Sequence, residues 1–363
     1  MSAIANEIET APRAASNRPI GLWLLACAAM IFAMAVIGAI TRLTESGLSI
    51  MEWAPLRGAL PPIGDAEWQR LFELYRQIPE YRQENAGMSL EDFKTIFWWE
   101  WVHRLWGRLI GVVFALPFFW FLARRRIAPA LKPHLFAMLL LGGLQGALGW
   151  YMVASGFADR TDVSQYRLVA HLGLAVAIYG YILWIALRLI DLNPQAGHDP
   201  RQGRLRAALV GLLCLAGLTM ASGGFVAGLN AGLIYNTFPL MDGRLIPDGY
   251  APLQPFVVNF FETVETVQFN HRLLAVATLA ASVAVWAWSL RLDLSAGARK
   301  VLNGLLAMAG VQFALGIATL LLVVPVWLGA LHQAGALALI SAILWSLHRL
   351  RAPTARRVPR HAV

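Results

Sequence analysis

Apolar residues in this chain come in long runs, not in strict alternation. Eight runs of about twenty residues, roughly 20–41, 97–122, 133–154, 167–189, 205–227, 266–290, 301–325 and 327–348, are each long enough to cross a bilayer as a helix. The pattern predicts an all-α membrane protein of eight transmembrane helices. The first run is too long, and its flanks too unlike a cleavage site, for a signal peptide. The polar connections carry predictions of their own. The net acidic loop at about 44–96 holds an amphipathic stretch, Trp68, Leu71, Phe72 and Tyr75, which predicts a short interfacial helix. Ser89 followed by Asp92 is a helix start, and the helix it opens can run through Phe93–Trp101 into the second span. A second long loop, about 228–265, carries Asn236-Thr237-Phe238-Pro239 as turn material.

The pattern also repeats. Gly38–Leu48 resembles Gly224–Leu233 with a one-residue gap, and Trp101-Val102-His103-Arg104-Leu105 resembles Phe269-Asn270-His271-Arg272-Leu273. Gln145 with Gly149 mirrors Gln312 with Gly316. Four spans per half give both repeats the same orientation, related by an axis along the membrane normal. The expected architecture is two pseudo-symmetric four-helix bundles: a tail at 1–19, a bundle at 20–190, a linker at 191–204, a bundle at 205–348 and a basic tail at 349–363. Small residues in spans three, five and seven would let those helices pack closely.

Charge fixes the expected orientation. Apolar residues make up 58% of the chain and charged ones only 14%, which sets it apart from ordinary soluble domains. The net charge of +9 gathers in Arg124-Arg125-Arg126, in Arg201, Arg204 and Arg206, in Arg299-Lys300 and in the C-terminal tail. Eight crossings place all of these on one side. The positive-inside rule then puts both termini in the cytoplasm, and the basic balance reads as topology, not as a nucleic-acid surface. Cys27 and Cys214 sit in apolar runs as small core residues, without metal-type spacing.

Against this background four histidines stand out: His103, His171, His271 and His332, one in each even-numbered span. A histidine in hydrocarbon is expensive unless it pairs or ligates. Two imidazoles on helices facing across a bundle are what a haem iron takes as axial ligands. The alternative for any one of them is a hydrogen-bonded core residue or a proton relay. All four lie near the outer ends of their helices, whereas an electron carrier across the bilayer needs haems at both depths. His134 and His348, beside basic loops, read as interfacial, and His198 and His361 fall in polar segments without functional signal.

Charged neighbours separate the two halves. Arg104 and Arg272 follow their histidines directly, and a guanidinium suits a carboxylate such as a haem propionate. Glu100 lies three residues before His103, on the same helical face, where Gln268 precedes His271. A carboxylate can move protons or stabilise a cation, and an amide cannot titrate. The asymmetry points to one reactive half and one cofactor half, unless Glu100 only pairs structurally with Arg104 or Arg108.

At these residues the chain resembles the haem A synthase family over nearly its full length. The match is carried by Thr41-Arg42-Leu43-Thr44-Glu45-Ser46-Gly47-Leu48-Ser49, Glu91-Asp92-Phe93-Lys94 and Phe97-Trp98-Trp99-Glu100-Trp101-Val102-His103-Arg104. In the second half it rests on Gly228-Leu229-Asn230-Ala231-Gly232, Tyr235-Asn236-Thr237-Phe238-Pro239 and Phe269-Asn270-His271-Arg272. The resemblance implies an inner-membrane oxidoreductase that converts the C8 methyl of haem O to the formyl of haem A by successive hydroxylations. It implies that His103 and His171 flank the substrate, that Glu100 is the catalytic carboxylate, and that His271 and His332 ligate haem b. The outer-loop cysteine pair of some members is missing here, as in the mitochondrial and alphaproteobacterial forms. An N-terminus with Glu7 and Glu9 lacks transit-peptide character, which favours a bacterial inner membrane. Expected partners are haem O, membrane lipid, an unidentified electron-transfer protein, and haem O synthase or oxidase assembly factors, with homo-oligomers open. Two other classes fit the histidines: a bis-histidine dihaem cytochrome b that only carries electrons, and a haem or small-molecule transporter.

Overall fold

The computed structural model describes residues 14–54, 57–157, 160–190 and 201–351. Among these residues there are eight helices long and apolar enough to span a membrane, and no strand. Spans 1 to 8 are Ala14–Leu43, Leu90–Ala123, Lys132–Val153, Gln165–Ile190, Gln202–Gly228, Val264–Ser289, Ala296–Leu321 and Val326–Arg349. The tail to residue 13, the segment 191–200 and the tail from 352, with His198 and His361, lie outside the described residues.

Local chemistry accounts for the ends. Ser89 caps span 2, its hydroxyl accepting from the backbone N–H of Asp92 at 3.1 Å, and the helix runs unbroken into the membrane segment as the sequence predicts. Span 7 starts at Ala296, with Ser295 as its cap, and stops at Leu321, four residues before the end of the apolar run. Val323 and Val324 there take positive φ, turning the chain toward Pro325 and span 8. Apolar content alone does not register such a turn.

Helix contacts close into two rings. Spans 1, 2, 3 and 4 touch in order and span 4 returns to span 1; spans 5, 6, 7 and 8 do the same, span 8 returning to span 5. The rings meet through spans 1 with 8, 4 with 5, and 4 with 8, an arrangement consistent with the expected pseudo-symmetry. The dense core fills only one end. Leu24, Phe118, Leu135, Ile182, Leu205, Leu302 and Ile343 are all buried in a continuous cluster, and each lies on the stretch of its span far from the four histidines. Around the histidines the helices are only partly buried. Close packing at one end and looser filling at the other is how a bundle keeps space for a ligand.

A second cluster covers the histidine end of the first ring. The amphipathic helix Asp65–Tyr75 buries Trp68, Leu71, Phe72 and Tyr75 against Phe93 and Phe97 of span 2. Trp68 and Phe97 meet edge to face at 5.0 Å between ring centres. The apolar stripe that predicts an interfacial helix is thus covered by protein. Two smaller expectations are also corrected. His348 is fully buried against Trp184, not interfacial, and Cys214 is exposed on its helix while Cys27 is in the core. Both follow from which helix face meets a neighbour, which the run of apolar residues does not specify.

Candidate functional site

Each of the four histidines on the even spans rests against a glycine of the preceding odd span. A Cβ built on Gly38, Gly149, Gly223 or Gly316 would meet Cε1 of His103, His171, His271 or His332 at 3.1, 3.0, 3.0 and 2.9 Å. Any larger residue would push the imidazole aside. The glycine matching Gly38 by contact is therefore Gly223, one residue before the Gly224 that sequence comparison suggests. Glutamines complete the seats in spans 3 and 7. Nε2 of Gln145 donates to the His171 carbonyl at 3.1 Å and lies 3.1 Å from its Nδ1; Nε2 of Gln312 does the same to His332 at 3.0 and 3.2 Å.

In the second ring His271 and His332 face each other, with ring centres 6.5 Å apart and planes at 88°. At that separation both imidazoles would be within reach of one metal-centred group between them. No group of three or more His, Cys, Asp or Glu capable of holding a metal ion occurs among the described residues. Two opposed imidazoles with no third protein ligand are the donor set that a porphyrin completes, so the residues fit a haem.

Beside these seats Glu100 and Gln268, each 2% exposed, sit in cradles of opposite polarity. Four donors converge on Glu100. Oε2 accepts from the Ser49 hydroxyl at 2.8 Å and the Ile50 N–H at 2.7 Å; Oε1 accepts from Nε and Nη2 of Arg104 at 3.0 and 2.6 Å. A carboxylate, acceptor only, satisfies all four. At Gln268 the partners are reversed: its amide nitrogen donates to the carbonyls of Ala231 and Ile234, and its Oε1 accepts from Arg272 at 3.1 Å. Arg104 also donates to the carbonyls of Ile50 and Glu52, and Arg272 to those of Tyr235 and Thr237. Each arginine thereby ties the loop that builds its cradle to the span carrying the histidine.

Those loops are the polar motifs of the sequence. Residues 41–50 follow span 1 and surround Glu100; residues 228–237 follow span 5 and surround Gln268. The two rings are also tied to each other at their histidine ends. Arg42 pairs with Asp162 at 2.6 Å and donates at 2.9 Å to Asn230 Oδ1 and to the Ala227 carbonyl. Glu262 accepts from Gln165 at 2.8 Å. Sequence reasoning singles out Glu100, His103, Arg104, His171, His271, Arg272 and His332, and the structure sets each of the four histidines against a glycine. It misses Ser49, Ile50 and Ser222, whose hydroxyl lies 2.8 Å from Nδ1 of His271, and it marks Gly38, Gly149 and Gly316 as repeat positions only, not as seats. For Ser49 the signal lay in the polar Thr41–Ser49 stretch, and for Gly149 and Gly316 in their repeat with Gln145 and Gln312; a lone serine in an apolar span gives none.

An eight-span helical membrane protein with paired, glycine-seated histidines in each half defines a haem-handling class. Within it, the chain belongs to the COX15-CtaA family of cytochrome oxidase assembly proteins, whose profile matches residues 21–344. It is 52% identical over 347 residues to the Heme A synthase of Nitrosospira multiformis, covering 94% of this chain and 96% of that one. Identity is 52% to the Heme A synthase of Rhodospirillum centenum (95% and 91% covered) and 50% to that of Parvibaculum lavamentivorans (93% and 95%).

Proposed function

We propose that this chain acts as a haem A synthase, oxidising the C8 methyl of haem O to a formyl group, in a bacterial inner membrane with both termini cytoplasmic. The first bundle, 20–190, receives haem O between His103 and His171, and the second, 205–348, holds haem b between His271 and His332. The observation that carries this division is the opposite polarity of the two cradles: a carboxylate ringed by donors in one half, an amide facing carbonyls in the other.

Chemistry follows from that difference. Bound haem b supplies an electron-transfer centre. The residues of the first half do the rest. His103 and His171 orient the substrate from two helices, each imidazole resting against the glycine of its neighbouring span. Glu100, one helical turn outward from His103, presents a fixed negative charge where the methyl carbon becomes electron-poor and loses protons. Two hydroxylations of the same carbon, each a two-electron oxidation that draws on an external electron acceptor and oxygen donor, give a hydrated aldehyde, which loses water to the formyl. Arg104 holds Glu100 in place, and Arg104 and Arg272 set positive charge at the outer mouth of each site, where haem propionates are anionic.

The test is haem extraction from membranes of Glu100→Gln. Haem b in the second half reports an intact fold. The expected result is retained haem b with haem O, or a hydroxylated intermediate, in place of haem A, at a loss on the order of a hundredfold. Unchanged haem A formation would make Glu100 structural only.

A further inference from the structure

The two halves differ at a second, less visible place. In the second half Nδ1 of His271 lies 2.8 Å from the hydroxyl of Ser222 on span 5. That hydroxyl already donates to the Thr219 carbonyl at 2.7 Å. A carbonyl only accepts and a serine has one O–H, so the remaining role of Ser222 Oγ toward His271 is to accept. Nδ1 must therefore carry the ring proton, and Nε2 keeps its lone pair. In the first half the matching position, the residue before the glycine seat, is Ile37 before Gly38 where Ser222 precedes Gly223. No hydroxyl reaches His103 from there, and its buried Nδ1 has no hydrogen-bond partner. Gln145 and Gln312 both reach Nδ1 of their histidine, and Gln145 also lies 3.3 Å from Nε2 of His171, but neither glutamine touches His103 or His271.

We propose that Ser222 is a positioning residue that locks His271 as the Nδ1–H tautomer for tight ligation of a resident haem, while Ile37 leaves His103 unlocked so that haem in the first half exchanges. The inference rests on the assignment of haem b to the second half. A hydrogen bond from the distal ring nitrogen fixes ring orientation and raises ligand basicity, and losing such a partner commonly weakens metal affinity about 10–100-fold. A half that must admit substrate and release product is better served without it. A stronger donor also favours the ferric state, so the lock should hold the haem b potential down.

The experiment uses the purified full chain with its bound haem, and three variants. Transfer of haem b to excess apomyoglobin gives the release rate, and a redox titration gives the potential. His271→Ala should carry no low-spin haem b; a normal haem b spectrum there would overturn the site assignment itself. Ser222→Ala should keep haem b, release it about 10–100-fold faster, and titrate at a more positive potential. Ser222→Thr, which keeps the hydroxyl, should restore both toward the parent values. A parent-like rate and potential in Ser222→Ala would overturn the lock with the site assignment intact. So would a Ser222→Thr protein as altered as Ser222→Ala, since packing alone would then explain the effect.

Discussion

Glu100 and Arg104 lie one turn apart on span 2 and are joined by two contacts, Oε1 of the carboxylate accepting from Nε at 3.0 Å and Nη2 at 2.6 Å. The pair is 3% and 17% exposed at its side chains, so it is largely shielded from water. The structural pairing weighed from sequence as an alternative to catalysis is thus real. It does not replace the proposed role: a carboxylate that must stay charged beside an apolar site needs such a partner. It does change what a substitution does.

Glutamine at position 100 is not structurally silent. Its amide nitrogen faces either the Arg104 fork or the Ser49 and Ile50 donors, and Arg104 loses its counter-charge. Breaking a buried pair from one side costs roughly 3–5 kcal/mol. Thermal unfolding of Glu100→Gln should therefore show a clear loss of stability alongside its loss of haem A. The reverse change, Gln268→Glu, sets a carboxylate against the carbonyls of Ala231 and Ile234 and should cost about 1–3 kcal/mol per mismatched group. A Gln268→Glu protein as stable as its parent would contradict the cradle assignment.

A buried acid in the segment between spans 1 and 2 makes stability depend on pH. Glu80 is 4% exposed, one oxygen has no partner, and burial pushes its carboxyl up to about 8, with Glu100, Asp162 and Glu45 adding to the rise against the Tyr75 hydroxyl, which lowers it. Between its ordinary value and about 8 the folded chain binds a proton that the unfolded chain does not. Its contribution is complete at low pH, falls as pH rises through that window, and is gone above it. Melting temperatures from pH 5 to 9 should decline more steeply for the parent than for Glu80→Gln. Parallel profiles would remove Glu80 as the cause.

The glycine seats predict a pair of half-specific lesions. Gly316→Ala puts a methyl 2.9 Å from Cε1 of His332, and Gly149→Ala puts one 3.0 Å from that of His171. The first should weaken haem b retention by roughly tenfold or more, as displaced ligands do. The second should lower haem A output while the haem b spectrum stays. Both variants affecting haem b alike would mean that the halves are not independent sites.

Orientation is checked separately. The basic clusters at Arg124-Arg125-Arg126, Arg201–Arg206 and Arg299-Lys300 all follow even crossings or precede odd ones. Reporter fusions after Arg126 and after Ala86 should report opposite sides of the membrane. The same side for both would overturn the eight-span arrangement.

How far the sequence carried these conclusions depended on the physical signal. Apolar runs and the repeated His-Arg dipeptide located the spans and the seats, because hydrocarbon leaves long helices few alternatives. Ser89 and Asp92 announced the long helix into span 2. The turn at Val323-Val324 and the burial of His348 were not legible, since both depend on which faces meet. The Glu100/Gln268 asymmetry was visible as a difference in charge; that the surrounding loops match it, donors on one side and carbonyls on the other, needed backbone positions. Ser222 was invisible for the same reason.

The proposed conversion takes haem O into this chain and releases haem A. It is tested most directly in a bacterium that makes haem O and lacks its own haem A synthase. Membranes expressing this chain are extracted and the haems separated by chromatography. The expected result is a haem A peak at the expense of haem O, with haem b retained on the purified chain. Haem O unchanged, with two equivalents of haem b per chain, would contradict it and show a dihaem electron carrier instead.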